Sequence, residues 1–207
     1  MKKSIWIKTE STEESLLGKS KFLGNPDVWE DFEWPCVNDG EEEYDLAFIC
    51  QINCEEVAPY DLENKLPKKG MLYFFYDLDG MPDDAFDLNT ARVLYYDGDL
   101  SQLEEIRVVD EDGNDMAYTP RKITFETVDD GFLAEDEDTH RMLGVPSLDG
   151  YIEVPNGFDE MLFQLDSFEA DGDDYNFGDV GILCFFIRSE KLAKKDFGDV
   201  RTAMLYS

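Results

Sequence analysis

The chain is written twice, and that constrains its fold more than any other feature. Lys21–Pro35 and Arg141–Pro155 align without a gap at an offset of 120, sharing Leu23/Leu143, Gly24/Gly144, Pro26/Pro146, Glu33/Glu153 and Pro35/Pro155. At an offset of 113, Gln51 meets Gln164 and Glu56 meets Glu169. At 111, Gly70, Leu72, Phe74 and Phe75 meet Gly181, Leu183, Phe185 and Phe186, and Phe86, Leu94 and Tyr95 then fall on Phe197, Leu205 and Tyr206. Fourteen identities in one order with two small shifts imply one plan used for residues 21–96 and again for 141–207.

That plan reads as β. Runs of Phe, Tyr, Val, Ile and Leu bounded by Gly, Pro and Asp predict strands at 45–52, 70–77 and 91–96, and at 161–165, 181–188 and 200–206. Residues 97–140 lie between the copies with 15 acids and 3 bases, and strands are expected there at Glu104–Val109 and Arg121–Thr127. Helix is scarce. Ser189 caps one short candidate running to Lys195, and Asn53…Glu56 and Asp166…Glu169 have the spacing of a capping box, predicting a helical turn after each glutamine strand. Two units of about 70 residues would be marginal alone. The expected fold is therefore a single β-rich α+β domain over 1–207, with few short helices and an internal pseudo-two-fold.

Charge narrows the partners. The chain has 49 acids against 18 bases, a net charge of −31, and between Phe22 and Ile187 the count is 43 acids to 8 bases. Such a surface repels phosphate backbones and anionic membranes, so no nucleic-acid or membrane partner is expected. A basic protein partner would be attracted to it; solubility alone would also account for the charge. Oligomeric state is not legible. Lys2 and Lys3 are followed by only Ile5-Trp6-Ile7 before polar residues resume, too short for a secretory signal, and no apolar run reaches membrane-spanning length, so a cytoplasmic protein is expected.

Cys36, Cys50, Cys54 and Cys184 form no C-x-x-C pair and are expected as free, mostly buried thiols. His140 is the sole histidine, and in its acidic surroundings it reads as a surface residue. No phosphate-binding loop, dinucleotide-binding glycine pattern or G-x-S-x-G elbow is present. A calcium loop starting at Ser167 places Glu169, Asp171 and Gly172 correctly but has Gly178 where a bidentate Glu is required. The expectation is a chain without catalytic residues, metal or cofactor.

Five residues remain as binding candidates. Gln51 and Gln164 share a strand face with Ile49 and Leu162 by alternation, predicting half-buried amides that backbone or a ligand must satisfy. Their recurrence favours the structural role. Lys21 and Arg141 are cations in an acidic chain, suited to salt bridges or to one anion site if symmetry brings them together. Trp34, replaced by Val154 in the second copy, could line a groove or simply pack.

The stretches F-E-W-P at 32–35, L-A-F-I-C-Q-I-N, L-P-K-K-G-M-L-Y-F-F, L-F-Q-L-D-S, F-G-D-V-G-I-L-C-F-F-I and the K-D-F close resemble the YwqG-like family, in family order from Lys21 onward. The resemblance implies a bacterial, cytoplasmic, β-dominated α+β fold of unknown function and carries over no catalytic residue. The leading functional expectation is a non-enzymatic protein-binding module, an immunity or antitoxin role being one version. The alternative is a small-ligand-binding or hydrolytic protein with its site between the copies.

Overall fold

A computed structural model describes residues 2–38, 43–78, 90–109, 112–129, 140–146, 152–170, 173–175 and 181–206. Phe86, residues 39–42 of the Val37–Glu43 loop, the 130–131 D-G pair and residues 171–172 and 176–178 of the 167–178 loop lie outside them.

Ten strands form one sheet: β1 (Lys3–Ser11), β2 (Lys21–Phe22), β3 (Ala47–Asn53), β4 (Met71–Tyr76), β5 (Ala91–Tyr96), β6 (Arg121–Asp129), β7 (Arg141–Met142), β8 (Glu160–Asp166), β9 (Gly181–Ile187) and β10 (Val200–Tyr206). Their spatial order is β10-β9-β8-β7-β1-β6-β2-β3-β4-β5, so the last four strands of each half fan outward from a central β1–β6 pair. That pair is antiparallel over nine residues, from Lys3 opposite Asp129 to Ser11 opposite Arg121. β1 is the longest of the sheet's strands that sequence pattern missed, the two-residue β2 and β7 being the others. Its apolar alternation is only Ile5 and Ile7, and both side chains enter the core.

The sheet curls almost into a barrel. Its two edge strands come together at one end, where the hydroxyls of Thr90 and Thr202 are hydrogen-bonded at 3.0 Å. One continuous core fills the interior, with Phe74 of β4 at 4.5 Å from Phe163 of β8 and 5.5 Å from Phe185 of β9. Aromatic rings from opposite halves thus meet at the centre, where such pairs add about 1 kcal/mol beyond burial.

Both halves bend by the same device. Register slips between Phe48 and Cys50 against Phe75 and Phe74, and again between Met161 and Phe163 against Phe186 and Phe185. The extra residues, Ile49 and Leu162, turn their carbonyls out of the ladder to accept from Leu23 N (2.8 Å) and Leu143 N (3.4 Å). Leu23 and Leu143 have φ of 60° and 59°, and the glycines after them 74° and 82°. A left-handed leucine costs about 1–2 kcal/mol, which burial of its side chain offsets. Gly24 has no alternative, because a Cβ there would lie 2.6 Å from Pro120 Cβ. Gly24→Ala should lower stability by about 2 kcal/mol or more in urea unfolding; a loss under ~0.5 kcal/mol would show that the turn rearranges freely.

Several expectations need correction. The helix after β3 is real (α1, Cys54–Val57) and Asn53 caps it, accepting from Glu55 N at 2.9 Å. Glu56 does not close the capping box; its carboxylate accepts from Ser20 N at 2.8 Å. No helical turn follows β8, because the chain passes from Asp166 into the strand Phe168–Ala170. The second helix, α2 (Ser189–Leu192), is not capped by Ser189, whose N and Oγ both donate to the carboxylate of Asp159. Glu104–Val109 is a strand only at Glu104–Glu105, against Asp27–Val28; beyond it Ile106 N donates to Pro26 O and Val109 forms an isolated bridge with Asp115, while Ile106, Val108 and Val109 stay exposed.

Candidate functional site

The bulges decide where the two glutamines point. Without them Gln51 would share the inner face with Ile49; the extra residue reverses the phase, so Ile49 enters the barrel core and Gln51 lies on the outer face. Gln164 is placed likewise relative to Leu162. Both amides are fully buried, not half-buried as alternation predicts.

On the outer face Lys21, Gln51, Tyr73 and Leu94 stand side by side across β2 to β5. Lys21 Nζ donates to Asp27 Oδ1 at 2.7 Å, with both side chains almost wholly buried. Asp27 Oδ2 accepts from Gln51 Nε2 (2.6 Å) and Gly18 N (2.8 Å), and Asp27 N donates back to Gln51 Oε1 (2.9 Å). Gln51 Nε2 also reaches Lys19 O at 2.8 Å, and Tyr73 Oη donates to Asp27 O at 2.6 Å. Burial, then the charge of Asp27, pushes the Tyr73 phenol well above its ordinary range. Every member of this cluster is hydrogen-bonded, the condition under which a buried charge pair is tolerated.

The second half has a matching row of Trp6, Arg141, Gln164, Cys184 and Ala203. Arg141 is fully buried and its Nη1 donates to Val145 O at 3.5 Å; Cys184 Sγ lies 3.7 Å from Gln164 Oε1. Both Arg141 and Gln164 have interactions beyond these. Lys21 is thus brought together with Gln51, and Arg141 with Gln164, while the two pairs stay apart. Five inter-strand steps separate the glutamines, about 24 Å along the sheet. Trp34 belongs to neither row. It is half-buried, donates from Nε1 to Leu46 O at 2.9 Å and meets Phe75 edge-on at 5.5 Å.

Sequence reasoning missed Asp27 because the aligned residue in the second copy is Ser147, so the position drops out of a search for identities. It also misplaced His140. The imidazole is buried, stacked on Phe22 at 5.4 Å and edge-on to Phe168 at 5.0 Å. Its Nδ1 accepts from Asp166 N at 3.1 Å, as Ser20 Oγ accepts from Asn53 N at 2.9 Å in the other half. Burial, with a smaller push from Arg121, lowers its pKa from 6.5 to about 4. The unfolded chain therefore takes up this proton first as pH falls, so stability present above about pH 6.5 is lost on the way down to about 4. Between about pH 7 and 5.5 the loss should be about 1 kcal/mol. Comparing the unfolding of the wild type with His140→Ser at both pH values isolates it: the stability gap between the two proteins should narrow by that amount.

The thiols are free; Cys50, Cys54 and Cys184 are buried, and burial raises Cys54 to about 12. Among the described residues no group of three or more His, Cys, Asp and Glu side chains could hold a metal. One open groove of about 420 Å³ lies between the 14–20 loop, α1 and β6. Ser20, Tyr60, Ile123 and Phe125 line it, and its two lysines are already paired, Lys19 with Glu56 and Lys122 with Glu14.

Residues 20–204 match the family described as Domain of unknown function (DUF1963). No curated protein matches the chain. Among the described residues, no helix is long and apolar enough to cross a membrane.

Proposed function

We propose that this chain, which belongs to the family Domain of unknown function (DUF1963), is a non-enzymatic module that binds a basic protein partner through its acidic surface. One observation carries the reading: the cations are consumed inside the molecule. At least eleven of the eighteen lysines and arginines stand in ion pairs, namely Lys3, Lys8, Lys19, Lys21, Lys65, Lys68, Lys122, Lys191, Arg107, Arg188 and Arg201. What faces solvent is therefore mainly surplus carboxylate, a field that steers a cationic partner. The buried glutamines support the same reading, since Gln51 is satisfied by Asp27 and Lys19 and lies far from Gln164 rather than in a shared cleft. A cytoplasmic site of action, kinship with YwqG-like proteins and an immunity or antitoxin role are parts of this reading. Capture on the immobilised chain from its native lysate tests it: a basic protein held at low salt and released at high salt is the expected result, and a partner indifferent to salt would overturn it.

A further inference from the structure

The outer face of the first half carries an aromatic layer whose aligned positions in the second half, Asp149, Ile152, Val154 and Ser207, are not aromatic. Trp29 stacks on Tyr96 with centroids 4.9 Å apart and planes within 4°. The contacts continue from Trp29 to Phe32 (5.2 Å), Phe32 to Trp34 (5.9 Å) and Trp34 to Phe75 (5.5 Å). Trp29, Phe32, Trp34 and Tyr96 are all only half-buried, packed over a buried patch of Val37, Met71, Tyr73 and Phe75. The corresponding patch of the second half includes the buried Ile152, Met161 and Phe186, and among the described residues no half-buried aromatic packs against it.

Charge surrounds these rings with one sign. They alternate with acids in the run W-E-D-F-E-W at 29–34, where Glu30, Asp31 and Glu33 are exposed. Asp97 and Asp99 are exposed on the turn that folds over Tyr96; a Cβ on Gly98 would lie 2.3 Å from that ring. Among the described residues none of these five carboxylates stands in an ion pair, and residues 22–64 hold 13 acids and no lysine or arginine, while 93–106 hold no lysine or arginine either. A partly exposed aromatic layer bordered by unopposed carboxylates suits a planar cation, which stacks on the ring and pairs bidentately with a carboxylate.

We infer that this face, centred on Trp29 and Trp34 with Tyr96 packed behind Trp29, docks an arginine-bearing segment of a basic protein. The inference rests on the function proposed above and assigns it a place and a chemistry. Lysine would satisfy the charge but stack less well, so arginine should be preferred at equal charge.

The test uses the full chain with an octa-arginine and an octa-lysine peptide, read by calorimetry and by tryptophan fluorescence, since two of the three tryptophans lie here. Octa-arginine should bind severalfold more tightly and perturb the fluorescence. The triple variant Glu30→Gln/Asp31→Asn/Glu33→Gln should weaken it about tenfold. The control Glu13→Gln/Glu55→Gln/Glu190→Gln removes the same charge at exposed sites elsewhere and should change binding less than twofold. Equal weakening by both triples, or no preference for arginine, would overturn the inference while leaving a basic partner in place. No binding of either peptide would overturn both. A concentration-dependent dimer that shields Trp29 and Trp34 from quencher, with neither peptide bound, would assign the face to a second copy and also overturn the inference.

Discussion

Replacing Lys21 with methionine should destabilise the protein by about 3–5 kcal/mol, although the substitution removes a charge from the interior. The reason is what remains. Asp27 would keep its carboxylate fully buried, still accepting from Gly18 N and Gln51 Nε2 but without the ammonium 2.7 Å away. Glu105, the other carboxylate near Lys21 Nζ at 3.5 Å, is half exposed and would simply turn to water. For a chain of this length the loss corresponds to roughly 10–15 °C in Tm. The double variant Lys21→Met/Asp27→Asn separates charge burial from lost packing, and about half of the stability should return once the stranded charge is gone. Calorimetric melting of the three proteins is the check. A single variant within ~1 kcal/mol of the wild type would mean that water reaches Asp27 and that the cluster is not sealed.

Phe74→Ala should cost a similar amount, about 3–5 kcal/mol, through a different mechanism. Phe74 is fully buried and its ring touches Phe163 and Phe185, so truncation opens a cavity where the two halves meet. If the sheet unfolds as one unit, tryptophan fluorescence, dominated by Trp29 and Trp34 of the first half, and far-ultraviolet dichroism should still report one coincident transition at lower denaturant. Separated transitions would show instead that the halves can melt independently.

These two residues also mark what the sequence can and cannot tell. The strands 91–96 and 200–206 were legible to the residue, because β-branched and aromatic residues between Gly and Asp punctuation leave few alternatives. The face of Gln51 was not, because a bulge leaves no mark in an alternating pattern, and one extra residue reverses every later assignment. Pairing of Lys21 with an acid was among the expected outcomes, but its partner was hidden: Asp27 lies in the repeated block at a position where the copies differ. His140 shows the converse. Its neighbours in sequence are acidic and polar, but its neighbours in space are Phe22 and Phe168, contributed by β2 and by the strand after β8. Sequence context reports the first set and not the second. β1 escaped notice because two isoleucines are a weak signal alone; their meaning comes from β6, more than a hundred residues away.

That distance has a consequence for how the molecule is made. β1 leaves the ribosome early, yet its partners are β6 and β7, and β2 is likewise held between β3 and β6. The meander of β3, β4 and β5 can pair as it emerges, since consecutive strands are neighbours. The centre of the sheet must wait until residue 142 has been synthesised. For much of translation the nascent chain therefore exposes an unpaired edge on β3 and a tethered strand without a mate, the conditions that favour non-native pairing. A chain of net charge −31 in that interval repels its own copies on neighbouring ribosomes, which opposes such pairing between chains.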